Sequence, residues 1–187
     1  MPKGDDDATL LAKIAAGDKV AFSELLERHL HALIKFARRY TGNLADAEDI
    51  VQETFTKIWL KASDWRDQGL SASSWLYRIT YHSCVDLARR NRRDVSLEGL
   101  ELTAALNDDP AEQAVHAAGL TQLVASMGLL PERQSTAIVL CVYEGLSNKD
   151  AAAVMGLGVE ALESLLSRGR RRLRELLLQE KEGADDT

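Results

Sequence analysis

Apolar residues return at three-to-four spacing in block after block of this chain, and sustained two-residue alternation is rare, so the pattern predicts an all-α protein. Leu10, Leu11 and Ile14 form a first short stripe, closed by Gly17-Asp18. Phe22, Leu25, Leu26, Leu30, Leu33 and Phe36 carry a second as far as Thr41-Gly42-Asn43. Asp46 is then expected to cap a helix bearing Ile50, Val51, Thr54, Phe55, Ile58 and Trp59. After a polar break from Asp64 to Ser73, Ser73 or Ser74 is expected to start a helix with Trp75, Leu76, Ile79, Cys84, Leu87 and Ala88. Further on, Pro131 suits the first turn of a helix whose apolar face includes Ile138, Val139, Cys141 and Val142, and Gly145 ends it.

The stretch from Ser147 to Leu173 has a finer grammar: a cap, a short helix of small residues, a tight turn and a longer basic helix. Ser147 and Asp150 have the spacing of a capping box, with Leu146 and Ala151 as a weak hydrophobic staple. Gly156 supplies the left-handed turn, and Ala151, Ala152 and Ala153 permit a close second helix. Leu162, Leu165, Leu166 and Leu173 define its buried side, leaving Glu160, Glu163, Ser164, Ser167, Arg168 and Arg171 on the other faces. This predicts a helix-turn-helix whose second helix enters the major groove. An ordinary solvated helical hairpin is the plain alternative. Glu160 and Glu163 suit the positive end of the helix dipole, and either is also able to accept a hydrogen bond from cytosine N4.

Charge sharpens the picture. The chain is acidic, with formal net charge −6 and pI near 5.3. Its arginines nevertheless gather in two clusters, Arg89-Arg90-Asn91-Arg92-Arg93 and Arg168-Gly169-Arg170-Arg171-Arg172-Leu173-Arg174, with no Lys or Arg between Arg93 and Arg133. An acidic chain with two basic points is suited to touching a polyanion twice. Residues 94–112 carry Asp94, Glu98, Glu101, Asp108, Asp109 and Glu112 with Gly99, Asn107 and Pro110, which reads as an acidic linker between a helical domain at 8–93 and another at 113–179.

Near the first cluster the aromatics Trp59, Trp65, Trp75, Tyr77 and Tyr81 crowd together with Arg66 and Arg78. Planar rings beside cations suit unpaired bases. Trp59 and Trp75 fit apolar faces and are expected to be mainly buried, whereas Tyr77, Tyr81 and the Trp65–Ser73 loop are the better candidates for contact. The helix Asp46 to Phe55 crowds carboxylates at its N-terminus; it is a solvated face or an interface for a basic partner, not for DNA. Cys84 and Cys141 read as buried free thiols in a reducing cytosol, and the scattered His29, His31, His82 and His116 suggest no metal site. The N-terminus lacks the apolar core of a signal peptide, and no apolar run is long enough to span a bilayer, so a cytoplasmic protein is expected.

Taken in order, these segments resemble a known family. Asp46-Ala47-Glu48-Asp49-Ile50-Val51-Gln52-Glu53-Thr54-Phe55 is similar to the "DAEDLVQE-F" signature of the extracytoplasmic-function sigma factors of bacterial RNA polymerase. Ser74-Trp75-Leu76-Tyr77-Arg78-Ile79, followed by Asp86-Leu87-Ala88-Arg89-Arg90, resembles that group's "WLYRIA" helix. Leu130-Pro131-Glu132-Arg133-Gln134, Tyr143-Glu144-Gly145-Leu146-Ser147 and the arginine-rich end resemble its C-terminal domain, and Gly17-Asp18 with Ala21-Phe22 fits its opening.

The resemblance implies a sigma region 2 bundle and a sigma region 4 helix-turn-helix joined by the linker, with no catalysis and no cofactor or metal. It implies docking on the β′ clamp helices of core polymerase, with the β subunit also in contact, through Asp46, Glu48, Asp49, Gln52 and Glu53. The −10 element would be opened and held by Trp65, Arg66, Trp75, Tyr77, Arg78, Tyr81, Arg89, Arg90, Arg92 and Arg93. The −35 duplex would be read by Glu160, Glu163, Ser164, Ser167, Arg168, Arg170, Arg171 and Arg172. The linker would thread toward the polymerase active-site channel, and an anti-sigma factor, soluble or membrane-bound, would silence the protein in a stress response. Two departures stand out: many members carry a basic residue where this chain has Glu163 and Leu165, and Gly169 replaces a common alanine and is expected to soften its helix. The rivals are weaker. A dimeric helix-turn-helix repressor or activator leaves the aromatic–arginine helix unexplained. A hydrolase using Asp46, Glu48, Asp49 and Glu53 lacks any companion His, Ser or metal-ligand set. A mere sigma mimic would not need both arginine clusters.

Overall fold

The computed structural model describes residues 5–66, 69–94 and 126–185, with side chains as far as Arg90 in the fourth helix and Gln179 in the last. The acidic linker beyond Asp94, the expected start of the second domain and the side chains of Arg92 and Arg93 lie outside the described residues.

The first domain is four helices: α1 (Asp7–Ala15), α2 (Lys19–Thr41), α3 (Leu44–Lys61, extended by a 3-10 turn at Ala62–Asp64) and α4 (Ala72–Asp94). Each starts where a short polar side chain meets free amides. Asp6 accepts from Thr9 N at 2.8 Å, and Asp18 from Val20 N and Ala21 N at 2.8 and 3.1 Å. Two expected caps move. Asn43, not Asp46, caps α3: its Oδ1 accepts from Asp46 N at 2.8 Å and its Nδ2 donates to the Asp46 carboxylate at 2.7 Å. For α4, Ser71 Oγ takes the Ser74 amide at 3.2 Å, so the helix starts at Ala72, ahead of both expected serines. In both cases an equally short side chain one turn earlier reaches the orphan amide first.

Leu10, Leu11, Leu25, Leu33, Phe36, Val51, Ile58 and Leu76 are fully buried among these helices, each burial contributing about 1.5–3 kcal/mol. Phe36 meets Tyr77 edge-on at 5.3 Å, and Phe22 meets Trp59 at 5.2 Å. Asp7 ties α1 to α2; its hydrogen bond with His29, aided by Arg28, holds its carboxyl below the usual range despite partial burial.

In the second domain α5 (Glu132–Ile138) runs on into a π turn (Val139–Tyr143), followed by α6 (Asn148–Met155) and α7 (Val159–Asp185). Pro131 stands at the N-cap of α5, one residue ahead of its expected place. The π turn inserts an extra residue into the helical register. It rotates Val142 outward, 56% exposed, although the helical pattern had put it on the apolar face. The capping box forms in part: Ser147 Oγ accepts from Asp150 N at 3.1 Å and donates to Asp150 Oδ2 at 2.9 Å. Gly156, at φ 64°, makes the left-handed turn into α7.

Gly169 has a packing role that the sequence did not suggest. It is buried, and a Cβ there would meet Ile138 Cδ1 at 3.0 Å and Gln134 Cβ at 3.3 Å, so α7 lies hard against α5 at that point. Gly169→Leu is expected to destabilise the second domain by about 1–3 kcal/mol through overpacking, read as a lower thermal midpoint. The two domains also touch, α4 packing against α6.

Candidate nucleic-acid and partner interfaces

Five carboxylate or amide side chains were expected to face a partner, and α3 sorts them onto two flanks. Glu48, Asp49, Gln52 and Glu53 are exposed and Asp46 is half-buried. On one flank Glu48, Gln52 and Thr56 rim an apolar groove of about 560 Å³ floored by Phe22, Leu26, Leu30, Ile34, Phe55 and Trp59. On the other, Asp46, Asp49 and Glu53 border a smaller hollow of about 210 Å³ against α4, with Lys57, Ser83, Asp86 and Arg90. Lys57 is fixed there, 2.9 Å from Glu53 and 3.0 Å from Ser83 Oγ. The helix is thus an acidic crest between a greasy groove and a polar one, a surface for an amphipathic partner with basic groups. The apolar groove is the feature that sequence reasoning missed, since Phe22, Leu26 and Leu30 read simply as core.

The aromatic–arginine set divides. Trp65, Arg66, Trp75 and Arg78 come together around a cavity of about 200 Å³ with Asp64, Leu70, Ser71 and Ser74. Trp65 and Trp75 are half-buried, with Arg66 and Arg78 exposed beside them, so Trp75 is less covered than its apolar spacing suggested, and so is Trp59. Arg66 donates to the Trp65 carbonyl at 2.8 Å. Arg89 and Arg90 are exposed further along α4.

Tyr77 and Tyr81 do not join this set, and the expectation that they are exposed is corrected. They are 5% and 9% exposed, Tyr77 against Phe36 and Tyr81 against Tyr40. The helical phase of α4 explains it: Tyr77 and Tyr81, four residues apart, share the inward stripe with Cys84. Burial raises both phenol pKa values, and the Glu144 carboxylate adds to the rise at Tyr77.

On α7, Glu160, Glu163, Ser164, Ser167, Arg168, Arg170, Arg171 and Arg172 are all exposed, while Leu162, Leu166 and Leu176 are buried. Arg168 folds back on its own helix, to Ser164 Oγ at 2.9 Å and Ser164 O at 3.2 Å. Glu163 accepts from Asn148 Nδ2 of α6 at 3.2 Å, which braces the two helices of the hairpin. Glu160 stands in the first turn of α7, where the helix dipole favours it.

Neither cysteine belongs to these surfaces. Cys84 is 1% exposed and its burial pushes the thiol up to about 12; Cys141 is half-buried, raised by burial against the pull of Arg170. A disulfide-exchange reagent at pH 8 is expected to label Cys141 in the native protein and Cys84 only on unfolding. Among the described residues no group of His, Cys, Asp and Glu could hold a metal ion, and no helix is long and apolar enough to cross a membrane.

Comparison with known proteins matches both halves. Residues 25–94 fit the family described as Sigma-70 region 2, and residues 120–173 the family described as Sigma-70, region 4. The RNA polymerase sigma factor CnrH of Cupriavidus metallidurans is 34% identical over 186 residues, 95% of this chain and 97% of that protein. The ECF RNA polymerase sigma factor SigM of Mycobacterium tuberculosis is 31% identical, covering 91% of this chain and 84% of that one. The structure of CnrH in complex with the cytosolic domain of CnrY matches with TM-score 0.68 and 31% identity, over 92% of this chain and 97% of CnrH. That of the sigma factor RpoE in complex with the anti-sigma factor NepR, from Bartonella quintana, matches with TM-score 0.68 and 29% identity, over 83% and 96%.

Proposed function

This chain belongs to the extracytoplasmic-function sigma factors of bacterial RNA polymerase, and from that premise we propose how its own surfaces divide the work of initiation. Sigma factors bind core polymerase and promoter DNA. Here the acidic crest of α3, with Asp49, Gln52 and Glu53 foremost, docks on the β′ clamp helices, and the apolar groove beside it takes the nonpolar side of the same partner. The Trp65–Trp75 cavity receives unstacked bases of the −10 non-template strand, and Arg66, Arg78, Arg89 and Arg90 hold its phosphates. The α7 face from Ser164 to Arg172 reads the −35 duplex, with Arg168, Arg170, Arg171 and Arg172 on its backbone.

One observation carries this reading: two tryptophans and two arginines, drawn from both sides of the Trp65–Ser73 loop, converge on a single cavity. Stacking there is worth about 1–3 kcal/mol per base, comparable with the cost of unstacking a base step. CnrH and RpoE have been captured with CnrY and NepR respectively; we extend this to an anti-sigma factor for the present chain, acting in the cytoplasm. A dimeric repressor finds no support in the family assignment.

A forked promoter fragment with a single-stranded −10 segment separates the two ideas. Tight, sequence-selective binding that requires core polymerase is the expected result. Equal binding by the free chain to a palindromic duplex would overturn it.

A further inference from the structure

We infer that Glu163 reads one base pair of the −35 duplex, as the acceptor for the amino group of a cytosine, and that Asn148 is the positioning residue that holds it there; this rests on the −35 reading of α7 above. The sequence left Glu160 and Glu163 as equal candidates for such a contact, and the structure separates them. Glu160 stands in the first turn of α7, where the helix dipole already accounts for a carboxylate. Glu163 stands a turn further in, and its Oε1 accepts from Asn148 Nδ2 of α6 at 3.2 Å. Asn148 is oriented in turn from behind: the Cys141 thiol, in the π turn, donates to its Oδ1 at 3.8 Å. Burial raises the pKa of that thiol, which keeps the proton on the donor. The amide thus shows its oxygen to the thiol and its nitrogen to Glu163. With Oε1 tied back to α6, Oε2 is left for a donor in the groove, and the side chain has less freedom to lose on binding.

The place of this carboxylate suits a base edge. Glu163, Ser167 and Arg171 are exposed at four-residue spacing, one stripe along α7, with Leu162 and Leu166 buried behind them. From Glu163 to Arg171 is about 12 Å of helix axis. The arginine can therefore hold a phosphate at the rim while the carboxylate stands over base edges, in a groove about 12 Å wide. Chemistry then selects the base. Guanine shows two acceptors in the major groove, and thymine an acceptor and a methyl group, so neither offers a carboxylate anything. Adenine offers a donor with the N7 acceptor beside it, a pattern that an amide matches and a carboxylate does not. Cytosine presents its N4 amino group as a donor alone. A glutamate here selects cytosine by attraction and rejects the other three bases by leaving its charge unpaired. A basic residue in its place would add affinity for any sequence, whereas Glu163 lowers general affinity and adds choice.

The test selects bound promoters from a pool randomised over the −35 element, using holoenzyme assembled from core polymerase and the full chain, and sequences them. The wild type is expected to prefer cytosine at one position by about tenfold. Glu163→Gln, whose amide suits adenine, is expected to move that one preference to adenine and leave the neighbouring positions as they were. Asn148→Asp is nearly isosteric and places an acid where the start of α6 favours one, but it sets a second carboxylate against Glu163. It is expected to cut the cytosine preference about threefold or more, with helix content by circular dichroism unchanged. No cytosine preference in the wild type, or one that survives Glu163→Gln, would overturn the base contact and leave Glu163 a brace. A change spread over several positions would overturn it too, since that is what a tilted helix produces. Loss of the preference in Glu163→Gln but not in Asn148→Asp would overturn the positioning role of Asn148. Wild-type holoenzyme that enriched no −35 sequence at all, while still using a −10 element, would instead remove the −35 reading on which the contact rests.

Discussion

Asp49→Arg is expected to remove this protein from core polymerase, with affinity falling by about a hundredfold or more and helix content unchanged. Asp49 is exposed on the crest of α3, so its replacement leaves the domain core alone. The proposed docking surface around it is polar and largely acidic on one flank and apolar on the other, a combination that suits a partner with basic groups over a nonpolar ridge. Reversing a charge in such a contact sets like against like, which costs several kcal/mol. A loss of about 2.7 kcal/mol corresponds to the hundredfold change. Competition against another sigma factor for a fixed amount of core, with the variant's thermal unfolding measured alongside, checks both halves. Full retention of binding would assign docking to the groove side of α3, where Glu48 and Gln52 lie.

The second large effect is electrostatic. Replacing both Arg171 and Arg172 with Ala is expected to weaken binding to a −35 duplex by about tenfold at moderate salt. It is also expected to make the plot of log affinity against log salt shallower by about 1–2, since each lost phosphate contact removes about 0.9 from the slope. Both side chains are exposed on α7, and Arg172 has only a loose 3.4 Å contact with Glu175 to give up. Glu163→Lys tests a different property. Because Glu163 braces Asn148, that variant is expected to shift sequence preference more than it shifts the salt slope.

The helices were legible because their periodicity is strong: the apolar stripes read for α1 and α3 are buried almost throughout, and in α2 Leu25, Leu33 and Phe36 are buried while Phe22, Leu26 and Leu30 instead floor the surface groove. The helix-turn-helix was legible for a different reason. Its cap, its left-handed Gly156 and its leucine stripe are local features, each fixed by neighbours a few residues away. What failed was local too, but degenerate. Asn43 and Asp46, or Ser71 and Ser74, are chemically interchangeable caps, and only the backbone path selects between them. Val142 was misplaced because a π turn carries no sequence signature that a 3.6-residue period would register. Tyr77 and Tyr81 were drawn into the DNA site by their aromatic company, when their four-residue spacing already placed them with Cys84 on one stripe.

The contact between the two domains was invisible in principle. Glu144 meets Tyr77 and Arg39 across 67 and 105 positions, and Thr136 meets Tyr40 across 96, separations no window of sequence spans. Glu144 appeared in the sequence only as part of a short C-terminal motif, and Asp150 only as a cap. In the structure the Asp150 carboxylate serves both its own cap and the backbone of the other domain. A polar residue with a satisfactory local explanation can therefore conceal a long-range one.

The central claim is that this chain gives core polymerase its promoter choice through two DNA-reading surfaces. Run-off transcription from fragmented genomic DNA, by core polymerase with and without the protein, tests it most directly. The account predicts discrete new transcripts whose upstream regions share two elements, at −35 and −10, with yields that fall in the Arg171/Arg172 double variant and when Trp65 and Trp75 are replaced by Ala. No new transcripts, from a protein that still binds duplex DNA without polymerase, would contradict it.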